Sequence, residues 1–126
     1  RRHVQKRYNE ELGDVIQAPP HSETVQYYCA KVDPEVRDDL IDYLADKKIH
    51  TSVHFKPLHL YNVVKDMNQR DYPVANVEWK KLISLPCHPG MNDEDIDYVV
   101  YWVLQYFKDN APQPVEVEKP WWRFWE

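Results

Sequence analysis

Glycine is nearly absent from this sequence: the 126 residues contain two, Gly13 and Gly90, far apart. That excludes a phosphate-cradling loop of the P-loop or dinucleotide type, which needs several glycines within a few residues of one another. Cysteine is equally scarce. Cys29 and Cys87 are too few for a disulfide framework and fit a reducing, cytoplasmic setting. Neither lies in a nucleophile signature, and no Gly-x-Ser-x-Gly elbow occurs. Positive charge is in deficit, with 16 Lys and Arg against 21 Asp and Glu and a net charge of −5. The balance argues against nucleic acid or an anionic membrane as the main partner, since both reward a surplus of Lys and Arg. No apolar run approaches the roughly 20 residues of a membrane helix. The opening Arg1-Arg2-His3-Val4-Gln5-Lys6-Arg7 leads into polar residues and not into the apolar segment of a signal peptide. The sequence begins without Met, in what reads as the middle of a helix. The expectation is a piece of something larger.

What is present suits one soluble domain. Hydrophobic residues make up 43% and charged residues 29%, a globular balance, and a domain of this length buries roughly two-thirds of its unfolded surface. Val4, Tyr8 and Leu12 recur every fourth position in residues 1–13, giving a helix that ends at Gly13. Residues 25–32 are rich in β-branched and aromatic types and read as a strand. Asp33-Pro34 then opens a helix over about 34–48, with Asp as N-cap, Pro in the first turn and a stripe of Val36, Leu40, Tyr43 and Leu44. Lys47 and Lys48 suit the negative end of its dipole. A second strand is predicted over 50–55, stopped by Pro57, followed by a mixed loop over 58–71 with one helical turn. Pro73 opens a helix through Val74, Val77, Trp79 and Leu82, Ile83-Ser84-Leu85 is a short strand, and Cys87 to Gly90 is a turn. The acidic start at Asn92-Asp93-Glu94-Asp95 and the spacing of Ile96, Val99, Val100, Val103, Leu104 and Phe107 predict a last helix over about 92–108. The class is α+β: a small antiparallel sheet of about three short strands with helices packed on one face. The organisation is a helix over 1–13, one domain over 14–109, and a Pro- and Trp-rich tail over 110–126.

Two segments carry the chemistry-bearing side chains. In His54-Phe55-Lys56-Pro57-Leu58-His59-Leu60-Tyr61, two histidines, a lysine and a tyrosine crowd a strand end, and Pro57 stiffens the exit. His54 and His59 are zinc-type donors, but only Cys87 and His88 offer further ligands, so ligand count weighs against a metal. An electropositive edge for a phosphate-bearing ligand suits them better, Lys56 serving as a point charge and the histidines as donors. The second segment, Ile83-Ser84-Leu85-Pro86-Cys87-His88-Pro89-Gly90-Met91, reads as a strand and a proline-braced turn that fix a sheet-to-helix connection. The carboxylates over 35–46 and 93–97 read as caps and solvated surface.

In this order the two segments resemble the C-terminal domain of nucleotide-sugar aminotransferases of the DegT/DnrJ type. Tyr72-Pro73-Val74-Ala75 resembles their "Phe-Pro-x-Ala" helix start, Arg1-Arg2 with Tyr8-Asn9 resembles the helix joining their large and small domains, and Asp93 to Val100 resembles their final helix. The likeness covers residues 1 to about 109. It implies a homodimeric enzyme that uses pyridoxal phosphate to move an amino group from glutamate onto a nucleotide-linked keto-sugar. The Schiff-base lysine, the aspartate facing the pyridine nitrogen and the phosphate loop belong to the family's large domain and are absent from this sequence. The resemblance therefore implies that the chain alone binds no cofactor and is inactive. His54, then Lys56 and His59, are implied as substrate contacts, with His88 structural. The competing expectation is a stand-alone binding or interaction module. Such a module would cover its own apolar edges, whereas a domain parted from its neighbour would expose an apolar face. The aromatic tail Trp121-Trp122-Arg123-Phe124-Trp125 suits either an anchor for another domain or a segment folded back on its own.

Overall fold

A computed structural model describes residues 1–20, 25–62 and 72–110. The tail over 111–126 and the residues 63–71 of the mixed loop lie outside the described residues. Helix α1 (Arg2–Leu12) is followed by strand β1 (Tyr28–Lys31), helix α2 (Pro34–Asp46), a 3-10 turn (Leu58–Leu60), helix α3 (Pro73–Glu78), a second 3-10 turn (Trp79–Lys81), strand β2 (Leu82–Leu85) and helix α4 (Asp93–Asp109). The architecture is α+β, with an antiparallel sheet of β1 and β2. No helix among the described residues is long and apolar enough to cross a membrane.

The strand register sorts the sheet into two chemically different faces. Tyr28 pairs with Leu85 and Ala30 with Ile83, while Cys29 pairs with Ser84 and Lys31 with Leu82. Because successive side chains alternate, Tyr28, Ala30, Ile83 and Leu85 share one face, and all four are buried in the core. The helices cover that face. Tyr8 of α1 meets Tyr28 edge to face with ring centroids 4.9 Å apart, and its hydroxyl donates to the Pro86 carbonyl at 2.6 Å. Leu40 and Leu44 of α2 and Ile96, Val99, Val100 and Val103 of α4 complete the packing. The opposite face carries Cys29, Lys31 and Ser84.

Local grammar accounts for most helix ends. The Asp33 side chain accepts from the Glu35 amide at 2.9 Å and Pro34 opens α2. Asn92 and Asp95 close a reciprocal capping box at the start of α4, satisfying donors that a helix leaves unpaired. At the end of α2, Lys48 takes a left-handed φ of 62° so that the Lys48 and Ile49 amides reach the Ala45 and Leu44 carbonyls. Gly13 caps α1 with an ordinary φ of −59°. Its requirement is proximity: a Cβ there would stand 2.8 Å from the Asn9 carbonyl oxygen. Arg7 links α1 to α4 through Asp97, with Asp93 3.5 Å away, and His3 reaches Asp93 at 2.6 Å.

Two expectations are corrected. Residues 50–55 do not form a strand; Ser52 alone joins the sheet, exchanging both main-chain bonds with Ser84. The chain leaves the ladder because the His54 ring turns back to hydrogen-bond Ser84 and stack on Tyr27. The helix opened by Pro73 stops at Glu78 and does not reach Leu82. Pairing of Leu82 with Lys31 takes that residue into β2, and a 3-10 turn bridges the two elements.

Candidate functional site

The polar face of the sheet opens into a shallow cleft of about 170 Å³, lined by Gln26, Tyr27, His50, Ser52, His54, Ser84, Leu85, Pro86 and Cys87. Both segments singled out in the sequence meet here: the first supplies His54, the second Ser84 to Cys87. Ser84 sits in β2 and is 5% exposed. Its hydroxyl lies 2.8 Å from Nδ1 of His54, and the His54 ring stacks on Tyr27 with centroids 4.1 Å apart. Cys29, opposite Ser84 in the register, donates from Sγ to the His54 carbonyl at 3.9 Å.

Lys56 and His59 stand outside this lining. Lys56 is exposed, with Nζ 5.3 Å from the Tyr61 ring centroid and 6.0 Å from that of Trp79. His59 lies in the 3-10 turn and faces α3: its Nε2 is 2.5 Å from Asn76 Oδ1, and its ring packs on Tyr72. The structure thus places His54 in the cleft, while Lys56 and His59 flank it on the surface ribbon. His88 is exposed in the turn. Among the described residues no group of three metal-type side chains converges.

The lining is polar and holds neither a lysine nor a carboxylate. It offers no amine to form a Schiff base and no acid to face a pyridine nitrogen, so it does not fit pyridoxal phosphate as a resident group. Neither the lining thiol Cys87 nor the neighbouring Cys29 is activated. Burial pushes Cys29 up, against a smaller opposing pull from Ser84 and Lys31, and burial likewise raises Cys87; a protonated thiol is a weak nucleophile. What the cleft supplies is a set of hydrogen-bonding side chains, the equipment of a binding edge.

Reasoning from sequence missed Ser84, Tyr27 and the buried ion pair behind the cleft. Lys31, 4% exposed, pairs with Glu78 at the end of α3, and Lys81 reaches the same carboxylate at 3.3 Å. Only the strand alternation, with Lys31 two positions from Cys29, signalled that these side chains would share the cleft face. Beside the pair, Arg37 donates to the Trp79 carbonyl at 2.7 Å and lies 5.1 Å from its ring centroid.

A sequence model of the DegT/DnrJ/EryC1/StrS aminotransferase family matches residues 1–104. The spore coat polysaccharide biosynthesis protein SpsC of Bacillus subtilis is 35% identical over 89 residues, which is 64% of this chain and 23% of that protein. A dTDP-4-dehydro-2,3,6-trideoxy-D-glucose 4-aminotransferase of Saccharopolyspora spinosa is 26% identical over 103 residues, 76% of this chain and 26% of that protein. The crystal structure of the aminotransferase TlmJ from Streptoalloteichus hindustanus shares the fold, with a TM-score of 0.78 at 24% identity over 88% of this chain and 32% of that one. The chain spans about a quarter to a third of the length of these relatives. On a match that runs from the first residue through most of the last helix, the chain belongs to the DegT/DnrJ/EryC1/StrS aminotransferase family.

Proposed function

We propose that this chain is the small domain of an aminotransferase that transfers an amino group from glutamate to a nucleotide-linked keto-sugar. Pyridoxal phosphate, which supplies the electron sink for that transfer, is held by a large domain outside this sequence. The whole protein works as a cytoplasmic homodimer. The observation that carries this reading is the position of His54. It stands on an open polar cleft, and the ribbon leaving it exposes Phe55 at 66% and Leu58 at 72%. An apolar ribbon beside a polar cleft is what a domain presents to a second lobe closing over a ligand.

Within that reading His54 contacts the substrate directly, and Lys56 and His59 follow from the flanking ribbon. They bind and orient; the cleft lining around His54 holds no carboxylate and no lysine. The specific relatives support the substrate class, since one is named for a dTDP-linked sugar and its 4-amination.

The test is a kinetic assay of the whole protein with glutamate and dTDP- or GDP-linked keto-sugars. His54→Ala is expected to raise KM for the sugar nucleotide about tenfold and leave kcat within a fewfold, the pattern of a lost binding contact. The chain by itself, treated with pyridoxal phosphate and then borohydride, is expected to gain no stoichiometric adduct by intact mass. A stoichiometric adduct on one lysine overturns the division of labour between the two domains.

A further inference from the structure

The geometry points to Ser84 as a positioning residue for His54, holding the imidazole in one orientation and presenting Nε2 to the ligand. The inference rests on the reading that His54 contacts the sugar nucleotide. Ser84 grips the ribbon at two points. Its amide donates to the Ser52 carbonyl at 2.7 Å and its carbonyl accepts from the Ser52 amide at 3.2 Å. Its hydroxyl, two residues further along the ribbon, meets His54 Nδ1 at 2.8 Å.

The backbone grip fixes where the ribbon leaves the sheet, and the side-chain grip fixes how the ring is turned. A hydrogen bond to one ring nitrogen of a histidine fixes how the ring is turned and so which way the other nitrogen points. With Nδ1 engaged by a buried hydroxyl, Nε2 is the ring nitrogen left for the cleft. Tyr27 closes the remaining freedom by stacking on the ring, and Cys29 steadies the His54 carbonyl from below. Ser84 itself cannot shift easily, because it is buried in β2 between its partners at Cys29 and Ser52. A binding group supported in this way is preorganised, and loosening the support costs affinity rather than chemical competence. The two sequence segments are therefore one device: the strand-and-turn segment aims the histidine of the ribbon.

The test has two arms. In the chain labelled with 15N-histidine, the wild type is expected to show one sharp set of ring resonances for His54, the signature of one ring orientation. Ser84→Ala, and Ser84→Cys as the variant that keeps the volume, are expected to broaden or shift that set as the ring reorients. Unchanged resonances in both variants overturn the proposal. In the whole protein, Ser84→Ala is expected to raise KM for the sugar nucleotide about three- to tenfold with kcat within twofold, and Ser84→Thr, which keeps the hydroxyl, to restore it. A loss confined to kcat, or no change in KM, overturns it. Failure to aminate any sugar nucleotide overturns the reading of the function instead, and the ring-nitrogen spectrum still decides whether Ser84 holds His54.

Discussion

Glu78 is the residue on which the polar face of the sheet depends most. It accepts from Lys31, a lysine withdrawn almost completely from water, and from Lys81 at its edge. Burial pulls the carboxyl upward, and the two lysines, Lys31 foremost, more than offset this and leave it below the usual carboxylate range. Burial also lowers Lys31 below the usual lysine range despite the attraction of Glu78. Removing the carboxylate from a lysine so placed costs far more than removing a surface pair. Glu78→Gln is expected to lower unfolding free energy by about 2 kcal/mol in urea titrations at neutral pH, and Lys31→Met by less. The sign of the pH dependence follows from the lowered carboxyl. The unfolded chain takes up the proton first as pH falls, so the stabilisation is complete above the ordinary carboxylate value near 4.3 and drains away below it. Urea titrations between pH 6 and 3 are expected to show that loss in the wild type and a flatter profile in Glu78→Gln.

Helix ends hold the clearest lesson at the scale of elements. Lys48 occupies a left-handed conformation that glycine adopts without strain. Lys48→Gly is expected to stabilise the protein by about 0.5–1 kcal/mol, with Lys48→Ala giving no gain; thermal unfolding of the three proteins side by side decides it. α2 and α4 were legible in the sequence because two independent signals agreed: Asp33-Pro34 and Asn92 to Asp95 mark the starts, and the apolar stripes mark the faces. β1 was legible from its β-branched and aromatic run, β2 as a short apolar stretch closed by Pro86, and α1 from its four-residue spacing. Residues 50–55 were not, since Val53 and Phe55 have strand-like composition while the outcome turned on a single contact, His54 with Ser84, between residues thirty positions apart. The same holds for the site. His54 was visible as a chemically capable residue near a proline, but Ser84 and Tyr27 look ordinary until the fold brings them to the same ring. His59 was legible as a polar side chain on the exit ribbon, and its turn toward Asn76 depended on where α3 would pack.

At the scale of the whole molecule, the uneven surface is informative. Large apolar side chains are exposed on the ribbon, on α3, where Val74 and Val77 are about half exposed, and along α4 at Tyr98, Tyr101 and Leu104, while the helix face of the sheet is sealed. A self-sufficient binding module would have little reason to leave Phe55 and Leu58 in water. Leu58→Glu is accordingly expected to change the unfolding free energy of the chain by less than about 0.5 kcal/mol, as for a surface site. On the proposed two-domain reading, the same substitution in the whole protein is expected to weaken packing between the domains, read as faster proteolysis between them. A large loss of stability in the chain itself would show that Leu58 packs within its own domain.

The hydroxyl of Tyr8 joins α1 to the carbonyl of Pro86, and Pro86 is part of the cleft wall beside His54. That bond makes the first helix a lever on the pocket's rim. Tilting the helix axis would have to stretch that bond or carry the proline with it, so the rim beside His54 is braced by a residue of another element.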